Sequence, residues 1–252
     1  MSSTRLEWKP TFEPLAFARQ LSTRTAQKPL PLAEIQRGIC AAADRPLNRA
    51  VTLPAQSYTS EEFFAWELDH VLRAGWQCVA HVSQIPLPGD FLNLDLLGEP
   101  LIVVRGKDDA LRVLSRVCPH RSMDIMPEGF GYDGHSTAEA REGKPDCGHT
   151  RLFLCPYHAW TFELDGQLKA CPEMHQAEEF CRDEFFLKPF RSEIWRGFIF
   201  VNLDGEAPPL SPGLGEMAAD LSAFRLPEMK LVIAREWDCP FNWKVLDRKS
   251  VV

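Results

Sequence analysis

Cysteine and histidine occur together twice at short spacing, as Cys118-Pro119-His120 and as Cys155-Pro156-Tyr157-His158. Each group offers one thiolate and one imidazole from a tight turn, and the proline after each cysteine stiffens that turn. Two kinds of metal chemistry use such a donor set. A [2Fe–2S] cluster can be held by two cysteines on one iron and two histidines on the other, which raises its reduction potential well above that of the all-cysteine form. A structural zinc ion also accepts two cysteines and two histidines, but zinc modules typically pair Cys with Cys and His with His in each half. Here each half mixes the two, which favours the cluster. Backbone amides in such turns can donate to the sulfurs and tune the potential, and Tyr157 and Trp160 are placed to shield one side.

The segment 131–150 (GYDGHSTAEAREGKPDCGHT) contains a rival, Cys147-Gly148-His149, with the same Cys-x-His form as the first group. Only five residues separate His149 from Cys155, too few for two opposed turns with a hairpin between them. Cys118 and His120 are therefore preferred, with Cys147 read as a loop thiol and His149 as a surface imidazole. The segment itself is polar, glycine-rich and without periodicity, so a solvated loop is expected. The remaining cysteines, Cys40, Cys78, Cys171, Cys181 and Cys239, are read as ordinary thiols, since free cysteine packs as a small hydrophobe. His70, His81, His135 and His175 lack ligand-like spacing and are read as structural or exposed.

The elements that must position these groups are short. A Pro-punctuated arm covers 1–56, with a helix expected at 32–43. Thr59-Ser60-Glu61-Glu62 fits a capping box. Behind it, Phe63, Phe64, Trp66, Leu68, Val71 and Leu72 supply an apolar helical face through about residue 73. The period then changes. Strands are predicted at 78–82, 91–96, 101–105 and 111–116, separated by turn clusters at 86–90, 98–100 and 106–110. After the first Cys/His group come strands at 152–154, 160–164 and 167–169, with Asp165-Gly166 as a hairpin turn, and a strand at 195–203. Prolines 208, 209 and 212 mark a linker, followed by a helix at 214–224 and a new strand at 230–239. Short strands joined by tight turns predict an antiparallel β sandwich or barrel.

Bulk properties narrow the field. The chain has 252 residues, 45% of them hydrophobic, with a net charge of −7, eight cysteines and twenty prolines. Nucleic acid is not an expected partner, because phosphate binding needs a concentrated basic surface. No apolar run approaches the roughly 20 residues that cross a bilayer, and the N-terminus lacks the apolar core of a secretory signal. A cytoplasmic protein with no membrane partner is expected. In that setting cysteines serve metals or remain free thiols more often than they form disulfides.

The segments CPHR at 118–121 and CPYHAW at 155–160 resemble the Rieske domain of ring-hydroxylating oxygenase large (alpha) subunits. The likeness runs from about residue 57 to 244 and includes AGW at 74–76, LPGDFLNLDLLGEPLIVVR at 87–105 and WRGFIFVNLD at 195–204. The 34 residues between His120 and Cys155 exceed the family's usual spacing. An insertion within 131–150 accounts for the excess, and lengthening a loop costs little closure entropy. Phe241-Asn242-Trp243-Lys244 is similar to the segment that opens the family's catalytic domain.

The resemblance implies a mainly β fold: an antiparallel Rieske-type β sandwich or barrel with an N-terminal helix, followed by the start of a truncated α+β catalytic domain. The division expected is an arm at 1–56, a Rieske domain at 57–206 and the catalytic start at 207–246. Residues 247–252 (DRKSVV) back-translate to a common sequencing-adapter sequence and are expected to be an artefact. The implied [2Fe–2S] ligands are Cys118, His120, Cys155 and His158. A mononuclear Fe(II), held by two histidines and a carboxylate, is expected only in the absent catalytic part. No catalytic residue is assigned in this chain. An NAD(P)H-dependent reductase or a ferredoxin would be the electron donor, and a homotrimer or hetero-oligomer the full-length assembly. A free-standing Rieske ferredoxin and a non-catalytic zinc module remain alternatives at this stage. A respiratory-complex Rieske protein fits less well, because neither turn carries a second cysteine.

Overall fold

A computed structural model describes residues 28–126, 139–141, 144–174, 177–233 and 239–249. The chain divides into two compact units, Glu67–Glu236 and a smaller one formed by the residues before and after it.

The larger unit is built on antiparallel strands: β1 (Trp76–His81), β2 (Asp90–Leu96), β3 (Glu99–Arg105), β4 (Leu111–Ser115), β5 (Glu139–Arg141), β6 (Lys144–His149), β7 (Phe153–Leu154), β8 (Thr161–Phe162), β9 (Leu168–Ala170), β10 (Pro189–Trp195) and β11 (Phe198–Asn202). Eight of them form one sheet in the order β1-β11-β10-β4-β3-β2-β6-β5, and β7-β8-β9 form a second. Strand β3 explains how the two sheets make one unit. Its run Leu101-Ile102-Val103-Val104 is wholly buried, and alternate side chains point to opposite faces. Leu101 and Val103 join Ala80, Ile85, Val113, Phe190, Ile199 and Val201 in one core. Ile102 and Val104 join Phe91, Leu114, Phe153, Trp160, Phe162 and Leu168 in the other, which also encloses Cys118 and Cys155. The mainly antiparallel β architecture expected from the short strands is the one observed.

Most strand positions agree with the sequence to within two residues, and the Asp165-Gly166 turn is as expected. Gly166 has φ +95° there, with its N–H donating to the Glu163 carbonyl. Several expectations are corrected. The single strand read at 195–203 is the end of β10, a turn and β11, registered Trp195 to Phe198. Arg196 and Gly197 take φ of 48° and 88°, the two left-handed residues of a type I′ hairpin. The segment 144–149 is not solvated loop but strand β6, paired with β2 through Asp90–His149, Phe91–Gly148 and Leu92–Cys147. Its sequence carries no β-pattern, so the partner strand rather than propensity sets its conformation. Residues 131–138 lie outside the described residues, as do His135 and His175. The helix expected at 214–224 is shorter and broken, as α4 (Leu210–Gly213) and α5 (Gly215–Asp220), after the smaller unit's α1 (Leu32–Ala43), α2 (Gln56–Thr59) and α3 (Glu61–Glu67). Lys230–Ile233 is not strand, and 234–238 lie outside the described residues.

Helix α1 has the bounds expected. The cap of α3 does not: Ser60 Oγ accepts from the Phe63 N–H at 3.2 Å, while the Thr59 hydroxyl donates to the Ala55 carbonyl. Thr59 is spent closing α2, so capping passes one residue on. Beyond α3 the chain continues as a π-helical turn, Leu68–Leu72. In the smaller unit, the Lys244 ammonium of helix α6 (Trp243–Lys249) lies over the Tyr58, Phe63 and Trp243 rings at 5.6, 5.3 and 5.3 Å.

Candidate metal centre

The two Cys/His turns are built alike. The Cys118 N–H donates to the Met123 carbonyl at 2.8 Å, and its carbonyl accepts from the Ser122 N–H at 2.9 Å. The Cys155 N–H donates to the Trp160 carbonyl at 2.8 Å, and its carbonyl accepts from the Ala159 N–H at 3.0 Å. The fourth residue after each cysteine is left-handed although it is not glycine: Ser122 has φ 54° and Ala159 has φ 58°. Such backbone costs on the order of 1–2 kcal/mol per residue, and strain of this kind concentrates at functional sites. The tight reversal turns successive amides inward. The N–H groups of His120 and Arg121 donate to the Cys118 sulfur, and those of Tyr157 and His158 donate to the Cys155 sulfur.

What lies beneath the turns differs. The second rests on a hairpin, with Leu154 opposite Thr161 and Phe153 opposite Phe162. The first rests on one isolated bridge between Val117 and Asp124.

The tips bring like donors together. Cys118 and Cys155 are 1% and 2% exposed, and the Cys118 thiol donates to the Cys155 sulfur. That bond holds the Cys118 proton in place and pushes its pKa far up, with burial adding to the effect. The same bond, helped by the two amides, lowers Cys155 to about 6. Holding both sulfurs on a metal would require the proton they share to leave. The imidazoles of His120 and His158 are 4.8 Å apart between ring centroids. Burial first, and then the neighbouring His158 and Arg121, lower the His120 pKa, which favours the neutral form a metal needs.

Aromatic packing fixes the site. The His120 ring stacks on Trp160 at 4.6 Å and 4° between planes. Trp160 meets Phe180 and Phe185 edge-on at 5.8 and 5.4 Å, and Tyr157 lies 3.7 Å from His158. Trp160 is 2% exposed, so Trp160→Ala is expected to destabilise the chain by about 3–5 kcal/mol. A urea midpoint equal to that of the unaltered chain would show that this packing carries no weight.

The structure brings Cys118, His120, Cys155 and His158 together, as the two motifs suggested. It leaves the rival motif in β6, where Cys147 is 4% exposed and outside the core around Cys118 and Cys155. His149 Nδ1 is 3.0 Å from the buried Asp90 carboxylate. The loop reading of Cys147 is thus corrected to a buried strand position, while the His149 side chain, also on the strand, is 43% exposed, as a surface imidazole should be. Among the described residues, which include all eight cysteines, there is no disulfide. Cys40, Cys78, Cys181 and Cys239 are exposed rather than packed as small hydrophobes, whereas His81 is buried as a structural residue. Sequence reasoning missed the strained Ser122 and Ala159, for which the chain carries no composition signal, and the Phe180–Phe185 pair behind Trp160.

Residues 75–182 match the Rieske [2Fe-2S] domain family. With the two antiparallel sheets and the twin Cys/His turns, this defines the class: the chain carries a Rieske domain, and such a domain binds a [2Fe–2S] cluster. It is homologous to the alpha subunits of Rieske non-haem iron oxygenases, which are oxidoreductases. It is 32% identical over 199 residues to the carnitine monooxygenase oxygenase subunit of Acinetobacter pittii (strain PHEA-2), covering 78% of this chain and 49% of that protein. It is 30% identical over 205 residues to the chlorobenzene dioxygenase alpha subunit of Cupriavidus sp. (strain PS12), covering 79% and 41%. The crystal structure of a quaternary ammonium Rieske monooxygenase with L-carnitine superposes with a TM-score of 0.69 at 30% identity, over 88% of this chain and 56% of that one. The chain therefore spans about half the length of the carnitine monooxygenase relatives. Among the described residues, no helix is long and apolar enough to cross a membrane.

Proposed function

We propose that this chain is the electron-transfer portion of a Rieske oxygenase alpha subunit, with Cys118, His120, Cys155 and His158 holding its [2Fe–2S] cluster. The observation that carries the reading is the sorting of donors at the two tips. The sulfurs sit within hydrogen-bonding reach of each other, and the imidazoles are neighbours, as a cluster with sulfur on one iron and nitrogen on the other needs. The bound cluster supplies one-electron redox chemistry at a potential above that of all-cysteine clusters.

The chain's own residues prepare that site. The four inward amides favour thiolate sulfur and would bias the potential upward. Trp160 excludes water and fixes the plane of His120. His158, exposed beside Tyr157, is the donor nearest solvent, so electrons have a short path to and from a partner. A reductase or ferredoxin that draws on NAD(P)H fits as donor, and a mononuclear iron in a catalytic part beyond about residue 246, in a trimeric or hetero-oligomeric assembly, fits as acceptor. Residues 57–206 would be the Rieske domain and 207–246 the start of the catalytic one. Quaternary amines, as for the carnitine monooxygenase relatives, and aromatic rings, as for the chlorobenzene dioxygenase relative, are the candidate substrates, for mono- or dioxygenation.

The chain reconstituted anaerobically with iron and sulfide should bind about two irons, show visible absorbance, and bleach reversibly with dithionite. A colourless chain that takes up zinc in preference would reject the reading.

A further inference from the structure

We infer that Arg116 is a positioning residue for the first Cys/His turn, clamped between Asp124 and Asp95; this rests on the proposed ligand set. The two turns have unequal foundations. The second continues a regular ladder through β7, β8 and β9. Among the described residues, the first stands on one isolated bridge, Val117–Asp124, next to a Ser122 whose backbone is strained.

Arg116 supplies the missing brace. Its Nη2 is 3.1 Å from Asp124 Oδ2, on the far side of the turn, and 2.7 Å from Asp95 Oδ1 on β2. The backbone aligns the three groups. The Arg116 N–H donates to the Pro100 carbonyl, its carbonyl accepts from Ile125, and Pro100 stands opposite Asp95 in the β2–β3 register. Asp95 and Arg116 thus share a row two strands apart, and only a long side chain spans that distance. Asp124 is fixed in turn by accepting from the Met126 N–H at 2.9 Å. The Arg116 side chain is only 11% exposed, and its Nε is buried without a hydrogen-bond partner. The position gives up a hydrogen bond to keep Nη2 on both carboxylates, which an ordinary surface arginine would not do.

Because one nitrogen makes both contacts, lysine can replace the clamp where a neutral side chain cannot. The test uses the full 252-residue chain, reconstituted with iron and sulfide, and follows loss of visible absorbance to an iron chelator alongside the midpoint potential. Arg116→Met and Asp124→Asn are each expected to speed iron release about tenfold, and Arg116→Lys to restore most of the lost retention. Arg116→Met should also lower the potential, with a tenfold shift in the one-electron equilibrium equal to about 59 mV.

A charge effect alone would move the potentials of Arg116→Met and Asp124→Asn in opposite directions and leave release unchanged, and that result overturns the inference. If Arg116→Met does not fold by circular dichroism, Asp124→Asn decides: faster release supports the clamp and unaltered release rejects it. An unaltered chain that takes up no cluster rejects the ligand assignment itself, before any variant is compared.

Discussion

Cys118→Ser is expected to abolish the visible chromophore and bring bound iron from about two per chain to near zero after reconstitution. Serine keeps the shape of the side chain but offers a hydroxyl, a hard donor that stays protonated at neutral pH, where iron–sulfur clusters require thiolates. The consequence reaches beyond one lost bond, because the Cys118 and Cys155 sulfurs touch each other and a cluster end held by one thiolate loses half its anchorage. Cys147→Ser is the matched control. Cys147 has the same Cys-x-His context in the sequence but stands opposite Leu92 in β6, so that variant should keep iron and colour. The reverse outcome, with colour lost from Cys147→Ser and kept in Cys118→Ser, would move the first half of the site to the rival motif.

The second large effect concerns potential rather than occupancy. His158→Cys exchanges a neutral imidazole for an anionic thiolate at the exposed tip of the second turn, beside Tyr157. Added negative charge disfavours the reduced cluster, and the ranges for Rieske and all-cysteine plant-type clusters differ by about 250 mV or more. The midpoint of the reconstituted variant should fall by that order, read by dye-linked titration, while the fold is preserved because His158 is exposed. A midpoint equal to that of the unaltered chain would remove His158 from the ligand set.

The site was legible because its chemistry is local. All four proposed donors lie in two stretches of three and four residues, and each stretch is closed by its own backbone hydrogen bonds. Composition and short strands were likewise enough for an antiparallel β fold, since alternation and turn residues are nearest-neighbour properties. Helix α1 was read to the residue, whereas the cap of α3 was misplaced by one, because two adjacent hydroxyls compete for it and only the preceding turn of α2 settles which is engaged.

What escaped the sequence depends on partners far along the chain. Strand β6 has a lysine, a proline and a glycine in six residues, and it is a strand because β2 and β5 pair with it on either side. The hairpin at Arg196-Gly197 joins two stretches that read as one, since Arg is not a residue type that announces a left-handed turn. Arg116 reaches Asp95 only because β3 intervenes at one register, and no spacing rule connects positions 116 and 95. The chain's order of residues determined by itself which side chains are the candidates for metal chemistry and that they come in twin turns. Tertiary structure decided how those turns face each other, sulfur to sulfur and imidazole to imidazole, and what braces them. Donor type and turn geometry are encoded over a few residues, whereas register and burial arise only when distant strands pair.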